Sequence, residues 1–253
     1  MSDVAADAFE HAESLMNEGR AEEAEHRYQL AAAAGHVRAM RTLGVIAVER
    51  GDESAAETWW RQAAETGDAG AMFNLGVLKS EQGDFTESER WYRAAAAAGD
   101  QTAAYNLGYL LAERGARQEA IEYYRQAADA GDFQAMNNLA NLLSELGRED
   151  DAERWLLAAA EAGSGPAMNN LGNLYFRRGQ TTEYERWWRS GAQVGDPTCM
   201  YNLAVVLEVR DPSAAARFYR SAAAAGHPHA EEKMNGLLTG FTSSGLPYIT
   251  GIF

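Results

Sequence analysis

The chain is 253 residues long, 46% apolar and 23% charged, with a formal net charge of −15 at pH 7. That acidity argues against nucleic acid as a partner, because a phosphate backbone demands clustered Lys and Arg, and it equally disfavours an anionic membrane surface. A single cysteine, Cys199, leaves no internal disulfide to form, so nothing calls for an oxidising compartment.

The N-terminal MSDVAADAFEHAESL carries acids where an export signal needs a basic start and an unbroken apolar run. No window reaches the apolar length of a membrane span. A cytoplasmic location is the expectation.

In chain order, residues 4–18 predict a polar helix, and residues 21–34 a second one containing Tyr28 and an alanine run. Together residues 1–35 read as an N-terminal capping hairpin. From His36 onward two kinds of helix, A and B, alternate with no linker between them. The unit is clearest in residues 68–99, DAGAMFNLGVLKSEQGDFTESERWYRAAAAAG. Asp68 can cap an A helix with its carboxylate, Met72, Leu75 and Leu78 follow at helical spacing, and Gly83 offers the left-handed stop. Phe85, Trp91, Tyr92 and the run Ala94 to Ala98 then give the B helix a bulky patch beside a smooth one, and Gly99 ends it. Two short helices cannot bury those faces alone, so the unit has to stack on copies of itself.

The copies keep register. Terminating glycines fall at Gly35, Gly67, Gly99, Gly131, Gly163 and Gly195, and mid-hairpin glycines at Gly19, Gly51, Gly83, Gly115, Gly147 and Gly179, each a step of 32 residues. A last hairpin loses one residue, places Asp211-Pro212 at its middle and ends at Gly226. Residues 36–226 thus predict six repeats, residues 227–240 a C-terminal capping helix, and residues 241–253 an apolar extended tail. Pro166, Pro197, Pro212 and Pro228 are expected at helix starts, where a missing N–H is harmless. The fold expected is all-α, an α-solenoid of antiparallel helical hairpins forming one continuous body with no domain boundary.

The repeat columns carry a resemblance. AMFNLGVL with SERWYRAAAAAGD, AAYNLGYL with IEYYRQAADAGD, and PAMNNLGNLY with YERWWRSGAQVGD resemble the Sel1-like branch of the tetratricopeptide repeats, over residues from about 20 to 240. The resemblance implies a right-handed solenoid whose A helices line the concave surface.

Paired bulky residues recur at the repeat period, Trp59-Trp60, Trp91-Tyr92, Tyr123-Tyr124, Trp155-Leu156, Trp187-Trp188 and Phe218-Tyr219, and are expected to pack between helices. Glu57 with Arg61, Glu89 with Arg93 and Glu185 with Arg189 stand four apart on B helices, a spacing that adds a few tenths of a kcal/mol per pair.

The asparagine column points towards function. Asn74, Asn106, Asn138, Asn170 and Asn202 hold one position in successive A helices, and Asn137, Asn141, Asn169 and Asn173 thicken the stripe. Asparagine costs roughly half a kcal/mol relative to alanine inside a helix, so a repeated asparagine needs an offsetting gain. The resemblance implies that this residue, just before Leu-Gly, points into the groove, where in some peptide-binding relatives an asparagine ladder grips an extended main chain. A carboxamide has both a donor and an acceptor, so it can hold a peptide unit whatever its side chain. Arg41, Phe73, Tyr105 and Tyr201 precede the column, with Val45, Val77, Tyr109 and Val205 one turn on, a lining suited to an uncharged or mixed peptide. The alternative is structural, the amides serving backbone groups or a buried water, but one amide per repeat would suffice for that and the additional Asn141 and Asn173 favour a ligand.

Catalytic signals are weaker. Cys199 stands in the column of Ala71, Ala103, Ala135 and Ala167, a small-residue packing site. His227 and His229 form an H-x-H with no further metal ligand to join them. No phosphate loop, serine elbow or carboxylate dyad appears. The expectation is therefore a non-enzymatic protein- or peptide-binding scaffold without metal or cofactor. Its candidate ligands include an outside protein, an extended peptide, or the uncharged stretch 241–253 in the same or a neighbouring molecule. The alternatives are a peptide-sensing regulator or maturation factor, a self-assembling array, and an enzyme using Cys199 or the histidines.

Overall fold

A computed structural model describes residues 2–244, with side chains over residues 4–237. The described residues form helices and turns with no strand, and the chain divides into two compact units, Met1–Ala130 and Gly131–Phe253. The first holds α1 (Ser2–Asn17), α2 (Ala21–Ala33), α3 (Val37–Glu49), α4 (Glu53–Glu65), α5 (Ala69–Glu81), α6 (Phe85–Ala97), α7 (Gln101–Glu113) and α8 (Arg117–Asp129). The second holds α9 (Phe133–Glu145), α10 (Glu149–Glu161), α11 (Gly165–Arg177), α12 (Thr181–Gln193), α13 (Pro197–Leu207), α14 (Pro212–Ala224) and α15 (Ala230–Ser244). Each unit is an α-solenoid of hairpins in which every helix packs on the next along the chain. In a repeat array each hairpin packs on its neighbours alone, so no common core spans the chain.

The hairpin turn is set by a left-handed glycine followed by an acid. In the turn after α5, Gly83 has φ +77°, its N–H donates to the Ser80 carbonyl at 3.0 Å, and the Asp84 N–H donates to the Lys79 carbonyl at 2.9 Å. Those two bonds satisfy the last carbonyls of α5. Asp84 then caps α6, its carboxylate accepting from the Glu87 N–H at 3.1 Å. One residue thus closes one helix and opens the next, which keeps the connection to three residues, Gln82, Gly83 and Asp84. Asp68, Asp100, Asp132, Asp196 and Asp211 cap in the same way, Ser164 does so with its hydroxyl, and His36 with Nδ1, 3.2 Å from the Ala39 nitrogen.

Inside a hairpin the second bulky residue of the B helix lies flat on the A helix at the glycine of Asn-Leu-Gly. A Cβ on Gly76 would sit 2.5 Å from the Tyr92 ring, one on Gly108 2.7 Å from Tyr124, and one on Gly172 2.2 Å from Trp188. In these hairpins the ring and the glycine are complementary, while in the last one buried Tyr219 packs beside Ala204. Where the A helix carries Ala140 instead, the facing B helix carries Leu156, which has no ring to meet the methyl. Tyr28, Tyr92, Tyr124, Leu156, Trp188 and Tyr219 are all buried, as the paired-bulky columns lead one to expect, while the first member of each pair is half-buried.

Three local expectations change. Pro166, Pro197 and Pro212 do begin helices, but Pro228 lies in the turn ahead of α15. The final helix runs to Ser244, so residues 241–244 are helical rather than extended. Gly240 alone costs about 1 kcal/mol, which a helix tolerates, and the strong breakers Gly245 and Pro247 come later. The rest of the expected tail, residues 245–253, lies outside the described residues.

Gly76→Ala gains about 1 kcal/mol of helix propensity but drives a methyl into a buried ring, and overpacking of this kind costs about 1–3 kcal/mol. A net loss in chemical denaturation is expected, with Tyr92→Leu in the same chain restoring much of it, as the Ala140–Leu156 pair implies. If Gly76→Ala alone is neutral or stabilising, the ring does not depend on the missing Cβ.

Burial, aided by Arg38, lowers the pKa of His36, and burial together with His229 lowers that of His227. His36 stacks on Phe9 at 4.3 Å and must keep Nδ1 unprotonated to cap. Both folded-state values lie below the unfolded one, so their contribution is full above about pH 6.5 and is lost as pH falls through the folded values. The melting temperature is expected to fall from pH 7.5 to 5.5, with a shallower slope in His36→Asn, which caps without titrating. An unchanged slope would remove His36 from this account.

Candidate peptide-binding face

The A helices are α3, α5 and α7 in the first unit and α9, α11 and α13 in the second. Helical spacing brings three of their columns to one side, at positions 41, 42 and 45 of α3 and their equivalents. The five column asparagines are half-buried there, and Val45, Tyr109 and Val205 are 42%, 55% and 41% exposed.

In the first unit the face is aromatic and aliphatic. Phe73 rests on Tyr92 with ring centroids 5.9 Å apart, and Tyr105 rests on Tyr124 at 5.8 Å. These two therefore present an edge while their bodies belong to the hairpin core. Arg41 does not reach outward as a free cation. Its Nη1 donates to both Asp68 oxygens at 3.1 Å, clamping the cap of α5, and its backbone carbonyl accepts from the Trp60 indole N–H at 3.0 Å. Asn106 donates to the Tyr92 hydroxyl, whose pKa is nonetheless raised because burial outweighs that bond.

In the second unit the face is a network of amides. Asn170 Nδ2 donates to Asn137 Oδ1 at 2.8 Å and to Asn141 Oδ1 at 3.1 Å. One repeat on, Asn202 Nδ2 donates to Asn169 Oδ1 at 2.8 Å and to Asn173 Oδ1 at 3.4 Å. This corrects the inference drawn from the extra asparagines. They are the acceptors for the column asparagine of the next A helix, so a structural role accounts for them as well. The signal was in the spacing, since 137 and 141 precede 170 by the same 33 and 29 residues that separate 169 and 173 from 202. At those offsets from Asn74 stand Arg41 and Val45, and from Asn106 Phe73 and Val77, so no amide ladder can form in the first unit.

Tyr201 closes the second unit's face, resting on Tyr219 at 5.5 Å and stacked on His227 at 4.1 Å. His227 is thus occupied as a packing ring, and among the described residues no group of three metal-ligating side chains forms. Cys199 is fully buried, and burial pushes its thiol far above the ordinary range, so it presents no thiolate. Its Sγ fills the space left by Gly191, where a Cβ would approach to 2.2 Å. No helix among the described residues is long and apolar enough to cross a membrane.

The tetratricopeptide-repeat family profiles match residues 9–71, 73–135, 134–162 and 167–194, and the Sel1-repeat profile matches residues 197–227. Among solved structures, the chain is similar to c5321 of uropathogenic Escherichia coli, described as a protective antigen with an SLR fold, at 25% identity and a TM-score of 0.73. That likeness covers 97% of this chain but 57% of the other, so this chain spans little more than half of that protein's length. It is also similar to a Sel1 repeat protein from Oxalobacter formigenes, with 25% identity, a TM-score of 0.65 and coverage of 85% and 96% of the two chains. Pseudomonas aeruginosa PilF shares the fold alone, at 18% identity and a TM-score of 0.58, over 79% of this chain and 96% of that one. No curated protein matches the sequence.

Removing the Asn170 amide leaves two carboxamide oxygens without their donor, at a cost of about 0.5–1.5 kcal/mol. Removing Asn74, which has no amide to reach on the preceding A helix, gains helix propensity instead. Thermal melts of Asn170→Ala and Asn74→Ala should therefore move in opposite directions or differ by that amount. Equal destabilisation would mean that the column acts within each hairpin rather than between hairpins.

Proposed function

The chain belongs to the tetratricopeptide and Sel1-like repeat family, whose members generally serve as non-enzymatic protein-interaction modules, and we propose that it is a scaffold that holds an extended peptide segment on its A-helix faces. The observation that carries this reading is the missing charge. In a chain of net charge −15, the three outward columns of the six A helices contain one ionised side chain, Arg41, and its charge is met by Asp68. A merely solvated face would share the acidity of the rest of the surface.

Main-chain recognition suits the amides of the second unit. Asn141 and Asn173 accept bonds through Oδ1 and so hold their own Nδ2 donors in fixed directions, ready for peptide carbonyls. Asn170 and Asn202 orient them at no loss to the ligand, which reduces the ordering cost on binding. In the first unit Val45, Tyr109 and the edges of Phe73 and Tyr105 would take apolar side chains, supplying choice where the amides supply grip.

The test is selection of 12-residue peptides from a display library on the full chain, followed by titration of the selected peptides into Asn141→Ala/Asn173→Ala. A synthetic peptide of residues 245–253, GLPYITGIF, is the first defined probe, being uncharged and part of this chain. Peptides binding to the A-helix faces should lose at least about tenfold in affinity, or about 1.4 kcal/mol. If the selected peptides bind the double variant unchanged, or if selection yields nothing, main-chain capture by these amides is wrong.

A further inference from the structure

A second polar site lies away from the A-helix faces. A cavity of about 640 Å³ opens along α12, with Arg186, Arg189 and Arg210 as its cations, Glu185 as its carboxylate, and the hydroxyls of Thr181 and Ser190 beside them. We propose that it binds a small oxyanion ligand, one bearing a phosphoryl group or two carboxylates.

The repeat supplies its own comparison. Arg189 is the equivalent in α12 of Arg93 in α6, three repeats earlier. Arg93 is fully engaged: its Nη2 donates to Glu89 at 2.8 Å and to Glu119 of α8 at 2.6 Å, and its Nη1 donates to the Tyr123 hydroxyl at 3.0 Å. Arg93 thus takes a carboxylate from the next B helix as well as one from its own. For Arg189 the next B helix is α14, PSAAARFYRSAAA, which contains no carboxylate at all. Ala214 and Phe218 stand where Glu119 and Tyr123 stand in α8. The small side chain leaves the space open, and Arg189 retains only its local partner Glu185, at 3.6 Å.

The surroundings, which keep Glu183, carry fewer acids than the same surface of two other B helices. The same surface of α4 carries Glu53 and Glu65, and that of α10 carries Glu149, Asp150 and Glu161, whereas α12 has Thr181, Thr182 and Gln193. Three guanidiniums against Glu185 and Glu183, the latter 3.7 Å from Arg186, leave the pocket an excess of one positive charge in a strongly acidic chain. Glu185 does not cancel the site. It holds Arg210 at 2.5 Å as well as Arg189, so it fixes two forks side by side, and each guanidinium has five N–H donors to share. Hydroxyl and carboxamide donors add to a shell able to meet several oxygens.

This site is independent of the peptide reading and shares no residue with it. Isothermal titration of the full chain with inorganic pyrophosphate and, separately, with succinate, at constant ionic strength against sodium chloride, tests it. Binding of either anion supports the site, and which one binds tells phosphoryl from dicarboxylate recognition. Arg189→Gln, an exposed change on a helix surface, should leave the melting curve in place and weaken binding about tenfold or more, the loss of a bidentate charge-assisted contact. Arg93→Gln should leave anion binding unchanged. Absence of binding by both anions, or equal effects of the two substitutions, would overturn the proposal.

Discussion

In four of the hairpins the two helices approach closely because a ring lies where a methyl is missing. Tyr92 on Gly76, Tyr124 on Gly108 and Trp188 on Gly172 repeat one contact, and much else follows from it. The close approach leaves the neighbouring columns small, hence the fully buried Ala71, Ala103, Ala135 and Ala167. It also turns Phe73 and Tyr105 onto the rings behind them, and Tyr201 rests on Tyr219 in the same way, so that the A-helix face shows edges of aromatics rather than loose side chains. A face supported from behind in this way is preorganised, which is what a weakly charged binding surface needs if ordering costs are to stay small.

Polar pairing ties one hairpin to the next on the side of the B helices. Glu57 receives Arg61 from its own helix and Lys79 from α5, and these partners hold its carboxyl below the usual range, Lys79 foremost. Glu89 likewise joins Arg93 with Arg114, and Glu185 joins Arg189 with Arg210. The four-residue spacing on one helix accounts for half of each triad. Its other half comes from the end of the next A helix or the turn after it, so each carboxylate is a link between hairpins. Such part-exposed pairs individually contribute little, and their use is in register as much as in stability.

The division of the chemistry between the two units bears on function. The same column of asparagines has different company in each: Val45, Phe73 and Val77 in the first unit, and further asparagines in the second. One periodic scaffold therefore carries two surfaces, apolar and amide-rich, and the B helices add the arginine pocket on α12. Repeat proteins diversify in this manner because each hairpin's outward residues can change without disturbing the contacts that stack it.

The helices, their short glycine turns and the capping acids were legible in the sequence, because they depend on local chemistry: a left-handed glycine, a carboxylate one residue later and apolar residues at helical spacing. The packing role of the paired aromatics and the buried place of Cys199 were legible too, since repetition marks a column as structural. What the sequence by itself could not determine was the partner of each polar side chain. Asn141 and Asn173 read as surplus until Asn170 and Asn202 were seen to donate to them, and Arg41 read as a groove cation until Asp68 was found to hold it. The open position beside Arg189 likewise exists only by contrast with the carboxylate that fills it beside Arg93. These pairings join residues some thirty positions apart, and a hydrogen bond or ion pair forms there only when stacking brings the two helices to the right distance and rotation. Local propensity has no access to that geometry, and tertiary structure decides it.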